Sequence, residues 1–169
     1  MIRYLAISNG VLTQLPQLTD DCWINIAAPF DKAELQSLVH RLNIPLDFLT
    51  DSLDVDERSR YEREDDIRLI VINTPIFNES DNENDAIYIT IPIGIILVDQ
   101  YILTISPQAN PVLELFLDGK VKGFNPSNRE RFVLQIFERT VHTYLSSLKS
   151  LNMKRNRICL LYTSPSPRD

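Results

Sequence analysis

The stretch CWINIAAPFDKAELQSLVHRLNIPLDFLTDSLD, residues 22–54, holds both of the periodicities that decide a fold. In CWINIAA, Trp23, Asn25 and Ala27 alternate with Ile24, Ile26 and Ala28, which predicts a strand ended by Pro29. Asp31 then stands as an N-cap, and Glu34 completes a capping box that satisfies orphaned amides of the first turn. Leu35, Leu38, Val39 and Leu42 recur at helical spacing and predict one buried face. Pro45 suits the first turn of a second helix. There Leu46, Leu49 and Leu53 are expected to form the core stripe, with Asp47, Asp51 and Asp54 as an acidic stripe beside it.

Outward from this strand–helix–helix unit, the flanks add mostly strands. Asn9-Gly10, between two short apolar runs, is a strong hairpin signal. RYERE, a turn at Asp65-Asp66, and IRLIVINTPIF predict a strand pair, followed by the polar loop NESDNEND at 78–85. AIYITIPIGIILVDQYILTISP supplies two or three β-branched strands, with Asp99-Gln100 as the tight turn. Asn110-Pro111 opens a short helix that Gly119 stops. From Asn128 runs the longest helical pattern, in which Phe137, Val141, Tyr144, Leu148 and Leu151 step by alternating fours and threes. That spacing suits either a satellite of the core or an oligomerising stalk. Strands in the middle with helices before and after predict a mixed sheet covered by helices.

The bulk numbers fit one soluble domain: 169 residues, 44% hydrophobic and 24% charged. A net charge of −6 argues against a nucleic-acid surface and is compatible with cationic partners, metal ions among them. Cys22 and Cys159 share no CxxC spacing, and with only His40 and His142 beside them they predict structural roles rather than a zinc site. MIRYLAISNG has no basic region followed by an apolar run, so no leader is expected. The apolar run IPIGIILV falls far short of the roughly 20 residues of a membrane helix. The chain by itself is therefore expected to be soluble and cytoplasmic.

Enzyme signatures are missing. Gly10, Gly94, Gly119 and Gly123 cannot compose a P-loop or a GxGxxG turn, and no GxSxG, HExxH or EF-hand loop is present. No catalytic residue is assigned. The Asp47/Asp51/Asp54 stripe remains, either as a solvated face of an acidic protein or as part of a weak divalent-cation site. Like charges at these spacings repel by a few tenths of a kcal/mol per pair. Mg²⁺ keeps most of its water and takes one or two carboxylates, so one helix stripe is half a site.

Taken together, these pieces resemble the CorA family of divalent-cation channels and transporters. The likeness is carried by Trp23 to Ile26, Ile44 to Leu53, RYEREDDIRLIVINTPIF, PIGIILVDQYILTISP and the helix from Asn128, in order over about residues 1–152. The resemblance implies an α/β/α sandwich with a mixed central sheet over residues 1–127 and the start of a long stalk helix over 128–158. It implies the cytoplasmic regulatory domain of a homopentameric transporter of magnesium or cobalt, on the cytoplasmic face of the membrane. There Mg²⁺, or Co²⁺ or another divalent cation, bound between subunits would hold the closed state. The sensing aspartate carries over to Asp51. Its acidic neighbour is Thr50 here, and an acidic pair of the later helix falls at His142 and Thr143. The family's Gly-Met-Asn pore signature and two membrane helices are not in these 169 residues, so this length is not expected to conduct ions. A stand-alone α/β interaction module without a transport role is the alternative.

CLLYTSPSPRD, residues 159–169, resembles the in-frame translation of a sequencing-library adapter. It interrupts the helical pattern with Pro165 and Pro167 and matches nothing in the family, so it is read as foreign to the domain.

Overall fold

The computed structural model describes residues 1–80, 82 and 85–163, with side chains up to residue 159. Seven strands form one mixed sheet. They are β1 (Ile2–Ser8), β2 (Val11–Leu15), β3 (Trp23–Ile26), β4 (Arg60–Glu64), β5 (Ile67–Phe77), β6 (Tyr88–Val98) and β7 (Tyr101–Ile105). Their spatial order is β2-β1-β3-β7-β6-β5-β4. Only β3 and β7 run parallel, Trp23 facing Ile102 and Ile26 facing Ile105; every other pair is antiparallel.

The turns obey the local chemistry. Asn9 and Gly10 take φ of 51° and 79°, the left-handed pair that a two-residue hairpin with the right twist requires. Asp65 and Asp99 take positive φ at the two other tight turns. The apolar stretch around residues 88–105 resolves into two strands. Pro92 lies inside β6 with no N–H to give the ladder, and its carbonyl accepts a hydrogen bond from Ser106 Oγ at 2.7 Å.

Helices cover both faces, giving the expected α/β/α sandwich. On one face lie α1 (Lys32–Leu42) and α2 (Leu46–Asp51). Asp31 caps α1, accepting from the amides of Ala33 and Glu34 at 2.8 and 3.2 Å. Leu38 and Leu42 are buried against Ile24, Ile26, Leu103 and Ile105, with Leu35 and Val39 packed at the edge. On the other face lie α3 (Pro111–Leu117), capped by Asn110, and α4 (Arg129–Thr163). Trp23, fully buried, stands among Phe116, Phe124 and Phe132 with ring centroids 5.0–6.5 Å away, all three edge-on. Its indole N–H donates to Thr104 Oγ1 at 2.7 Å, and that hydroxyl donates to Asn25 Oδ1 at 2.9 Å.

The second helix departs from the expected stripe. It has six residues and stops at Asp51, and it buries Phe48 and Leu49, while Leu46 is exposed. Just past its end Ser52 is fully buried, its hydroxyl donating to the carbonyl of Phe48 at 2.6 Å. After it the chain turns with bonds from Leu53 N to Thr50 O and from Asp54 N to Asp51 O, each 3.1 Å. Asp54 therefore lies beyond the helix, and the three aspartates form no continuous helical stripe.

The long helix begins where Asn128 Oδ1 accepts from Arg131 N at 3.1 Å. Phe132, Val133 and Ile136 anchor it to the core. Further along, Phe137, Val141, Tyr144 and Leu148 of the heptad-like pattern are exposed and Leu151 is half-buried, so the pattern is not a core face. The helix continues through Thr163, across the start of CLLYTSPSPRD. Residues 164–169 of that segment, and residues 81, 83 and 84 of the polar loop, lie outside the described residues.

Candidate functional site

Asp51 closes α2 at the rim of the sheet, and β4 brings Arg60 against it. Arg60 Nη2 lies 2.6 Å from Asp51 Oδ2, its Nη1 2.5 Å from Glu57 Oε1, and its Nε 3.1 Å from Glu62 Oε2. One planar fork thus serves three carboxylates, an arrangement suited to arginine. Partial burial works against the guanidinium's charge, but hydrogen bonds to Glu62, Asp51 and Glu57 outweigh it and raise its pKa above the ordinary value. Three carboxylates against one guanidinium leave two negative charges unanswered within the cluster.

The other two aspartates have separate partners. Asp47 Oδ1 accepts from Phe48 N at 3.0 Å, and Asp54 Oδ1 accepts from Asp56 N at 3.0 Å. Thr50 Oγ1 donates to Asp47 O at 3.2 Å, inside the same turn. His142 and Thr143 sit on α4, across the sheet from α2. His142 Nε2 lies 3.9 Å from Glu138 Oε1, and Thr143 Oγ1 donates to Arg139 O at 2.9 Å. The structure thus brings Asp51 together with Arg60, not with Asp47, Asp54 or the later-helix positions. Among the described residues, no group of three or more His, Cys, Asp or Glu could hold a metal ion.

Arg60, Glu57 and Glu62 are the members that the sequence reading missed. Period-two alternation in RYERE places Arg60 and Glu62 on one strand face, a signal available in the sequence. Their meeting with Asp51 was not available, because it depends on where α2 stops.

A fold of this order, with helices of both faces in sequence and a long terminal helix, finds a match in a family model. The model described as "CorA-like Mg2+ transporter protein" matches residues 20–159. The chain belongs to this family. Two similar solved structures are the complete CorA magnesium transporter of Methanocaldococcus jannaschii and the soluble domain of that protein. Both are 22% identical to this CorA-like chain, with TM-scores of 0.72 and 0.73 over 98% and 93% of it. The cytoplasmic domain of ZntB from Vibrio parahaemolyticus follows at 12% identity and TM-score 0.67 over 92% of the chain. The CorA-like chain covers 52%, 62% and 63% of these three structures, so they establish its fold. No curated protein matches it. Among the described residues of the CorA-like chain, no helix is long and apolar enough to cross a membrane.

Proposed function

We propose that this chain is the cytoplasmic regulatory domain of a transporter of divalent cations, magnesium or cobalt. In this reading it works as a homo-oligomer, a pentamer as the resemblance implies, and conducts no ions by itself. The observation that carries the reading is the rim cluster, where Asp51, Glu57 and Glu62 leave a formal charge of −2 after Arg60 is counted. A divalent cation supplies that charge. One chain supplies only one side of the coordination, and Mg²⁺ accepts such sparse protein ligation because it keeps its water.

The remaining ligands would come from a second copy. Asp51 and α4 lie on opposite sides of the sheet, so the two faces meet only between neighbouring chains. A head-to-tail interface of this sort closes into a ring when the rotation between neighbours closes. The exposed apolar positions Phe137, Val141 and Leu148 on α4 supply surface for it. An ion bound only in the closed ring stabilises that state by mass action, and loss of the ion releases it.

The test is thermal denaturation of the assembled domain, its assembly checked by sedimentation. Millimolar Mg²⁺ is expected to raise the melting temperature, and Asp51→Ala to remove that increase. An assembled ring that melts at the same temperature with and without Mg²⁺, or an increase that survives Asp51→Ala, refutes metal sensing at this site.

A further inference from the structure

At Asn73 the main-chain hydrogen bonds of β5 pass to side chains. The pairing of β4 ends with Arg60 opposite Val71, and Asn73 lies two residues farther along β5. On its other side Asn73 faces Pro92 of β6, which has no N–H to give. Its own N–H donates to Ser59 Oγ at 3.1 Å, and its carbonyl accepts from the Tyr144 hydroxyl of α4 at 3.2 Å. The Asn73 side chain shares the α2 side of the strand with Leu69 and Val71, and Nδ2 donates to Glu57 O at 2.9 Å.

These three bonds join parts of the molecule that lie on opposite faces of the sheet. Glu57 and Ser59 belong to the segment between α2 and β4, and the Glu57 carboxylate is one of the three that Arg60 holds. Tyr144 belongs to α4, on the other face. Residues 52–59 form neither helix nor strand, so this segment can shift without breaking a ladder. Asn73 Oδ1 is buried with no hydrogen-bond partner, so the amide is tied by the Glu57 bond alone, at a cost to stability. Tyr144 is exposed, and its hydroxyl meets water when it leaves Asn73 O. Bonded and released states therefore differ by less than one buried hydrogen bond, the small gap that a switching element needs.

We propose that Asn73 is the relay through which the state of the rim cluster reaches the long helix. When the charges against Asp51, Glu57 and Glu62 change, the 57–59 segment shifts. Asn73 follows through its Nδ2 and N–H bonds, and the carbonyl that holds Tyr144 is displaced. By linkage the coupling runs both ways, so a movement of α4 that releases Tyr144 alters the rim. Asn73 and Tyr144 are positioning residues and touch no ion. The signal is a cation on the reading above, on which the relay rests in use. The coupling is measurable without metal, so its failure and that of metal sensing are separate results.

NMR of the full 169-residue chain with its tyrosines isotopically labelled at Cζ tests this. Tyr144→Phe identifies the Tyr144 resonance by its loss. Arg60→Gln removes the guanidinium from Glu57 and is expected to move that resonance, while Tyr4, on β1 near the far edge of the sheet, stays in place. In a chain carrying Ser59→Ala and Asn73→Ala, which cut both ties to the segment, Arg60→Gln should no longer move it. A Tyr144 resonance that Arg60→Gln leaves in place overturns the proposal, as does a movement that survives the cut ties. If the cut chain does not fold, urea denaturation of Arg60→Gln, Tyr144→Phe and their combination decides. Independent sites multiply their effects on the unfolding constant to within about twofold. The combination is expected to fall outside that limit, and a combination within it overturns the relay.

Discussion

Ser52 and Gly94 meet with no room between them: a Cβ at Gly94 would lie 1.9 Å from Ser52 Oγ and 2.3 Å from its Cβ. Gly94 sits mid-strand in β6, opposite Val71 and Ile105, where it leaves the gap that α2 uses to reach the sheet. Gly94→Ala is therefore expected to lower stability by about 1–3 kcal/mol through overpacking. Ser52→Gly in the same chain removes both clashing atoms. The double variant should lose less than the sum of the single ones, a coupling on the order of 1 kcal/mol or more in urea denaturation. Strict additivity would mean that α2 shifts away from the sheet instead.

The same contact explains where sequence reading stopped. Trp23 to Ile26, the Asp31 cap, the Asn9-Gly10 hairpin and the Asn110 cap were legible because each is a local rule, satisfied by residues within a few positions. The end of α2 was not. Leu46, Leu49 and Leu53 have helical spacing, but the helix ends at Asp51, and the glycine against which the next residue, Ser52, is seated is 42 positions away. The acidic stripe failed with the helix. Asp51 proved to be held by an arginine of the next strand, a long-range fact that no spacing records.

Thr104 joins two buried polar groups, accepting from the Trp23 indole and donating to Asn25. Thr104→Val keeps the shape and removes both bonds. It leaves an unpaired donor and weakens the satisfaction of Asn25, at an expected cost of about 1–3 kcal/mol. Trp23→Phe deletes the donor, so its combination with Thr104→Val should cost less than the two separately. Denaturant midpoints of the four proteins check this, and fully additive losses would refute the coupling.

Cys22 is fully buried beneath α1, and burial, with smaller contributions from Asp20 and Asp21, raises its thiol pKa above 9.0. Well below 9.0 the thiol is protonated in both folded and unfolded chains and adds no pH dependence. Above it, the unfolded chain loses this proton while the native chain retains it, so stability falls as pH rises. Burial likewise raises Tyr4, Tyr101 and Tyr144 above 10.0, which extends the decline further into alkali. Urea midpoints measured at about pH 8 and about pH 10 should separate, and Cys22→Ala should narrow the separation. Equal narrowing in a surface variant such as Ser37→Ala would refute the assignment to Cys22.

Arg60 is the single cation holding Asp51, Glu57 and Glu62 together, with a side chain about 29% exposed and carboxylates 23–43% exposed. Exposed ion pairs are worth about 0–1 kcal/mol each, and water screens them. Arg60→Gln is therefore expected to cost only about 1 kcal/mol, through repulsion among the three carboxylates it leaves behind. Added NaCl should shrink that loss, since screening weakens repulsion between exposed charges. If the rim takes a divalent cation, Mg²⁺ should restore more stability to Arg60→Gln than an equal ionic strength of NaCl does. With the guanidinium gone, Asp51 is left free to meet the ion. Restoration that follows ionic strength alone, whichever salt supplies it, would show that the cluster is only a set of screened surface charges.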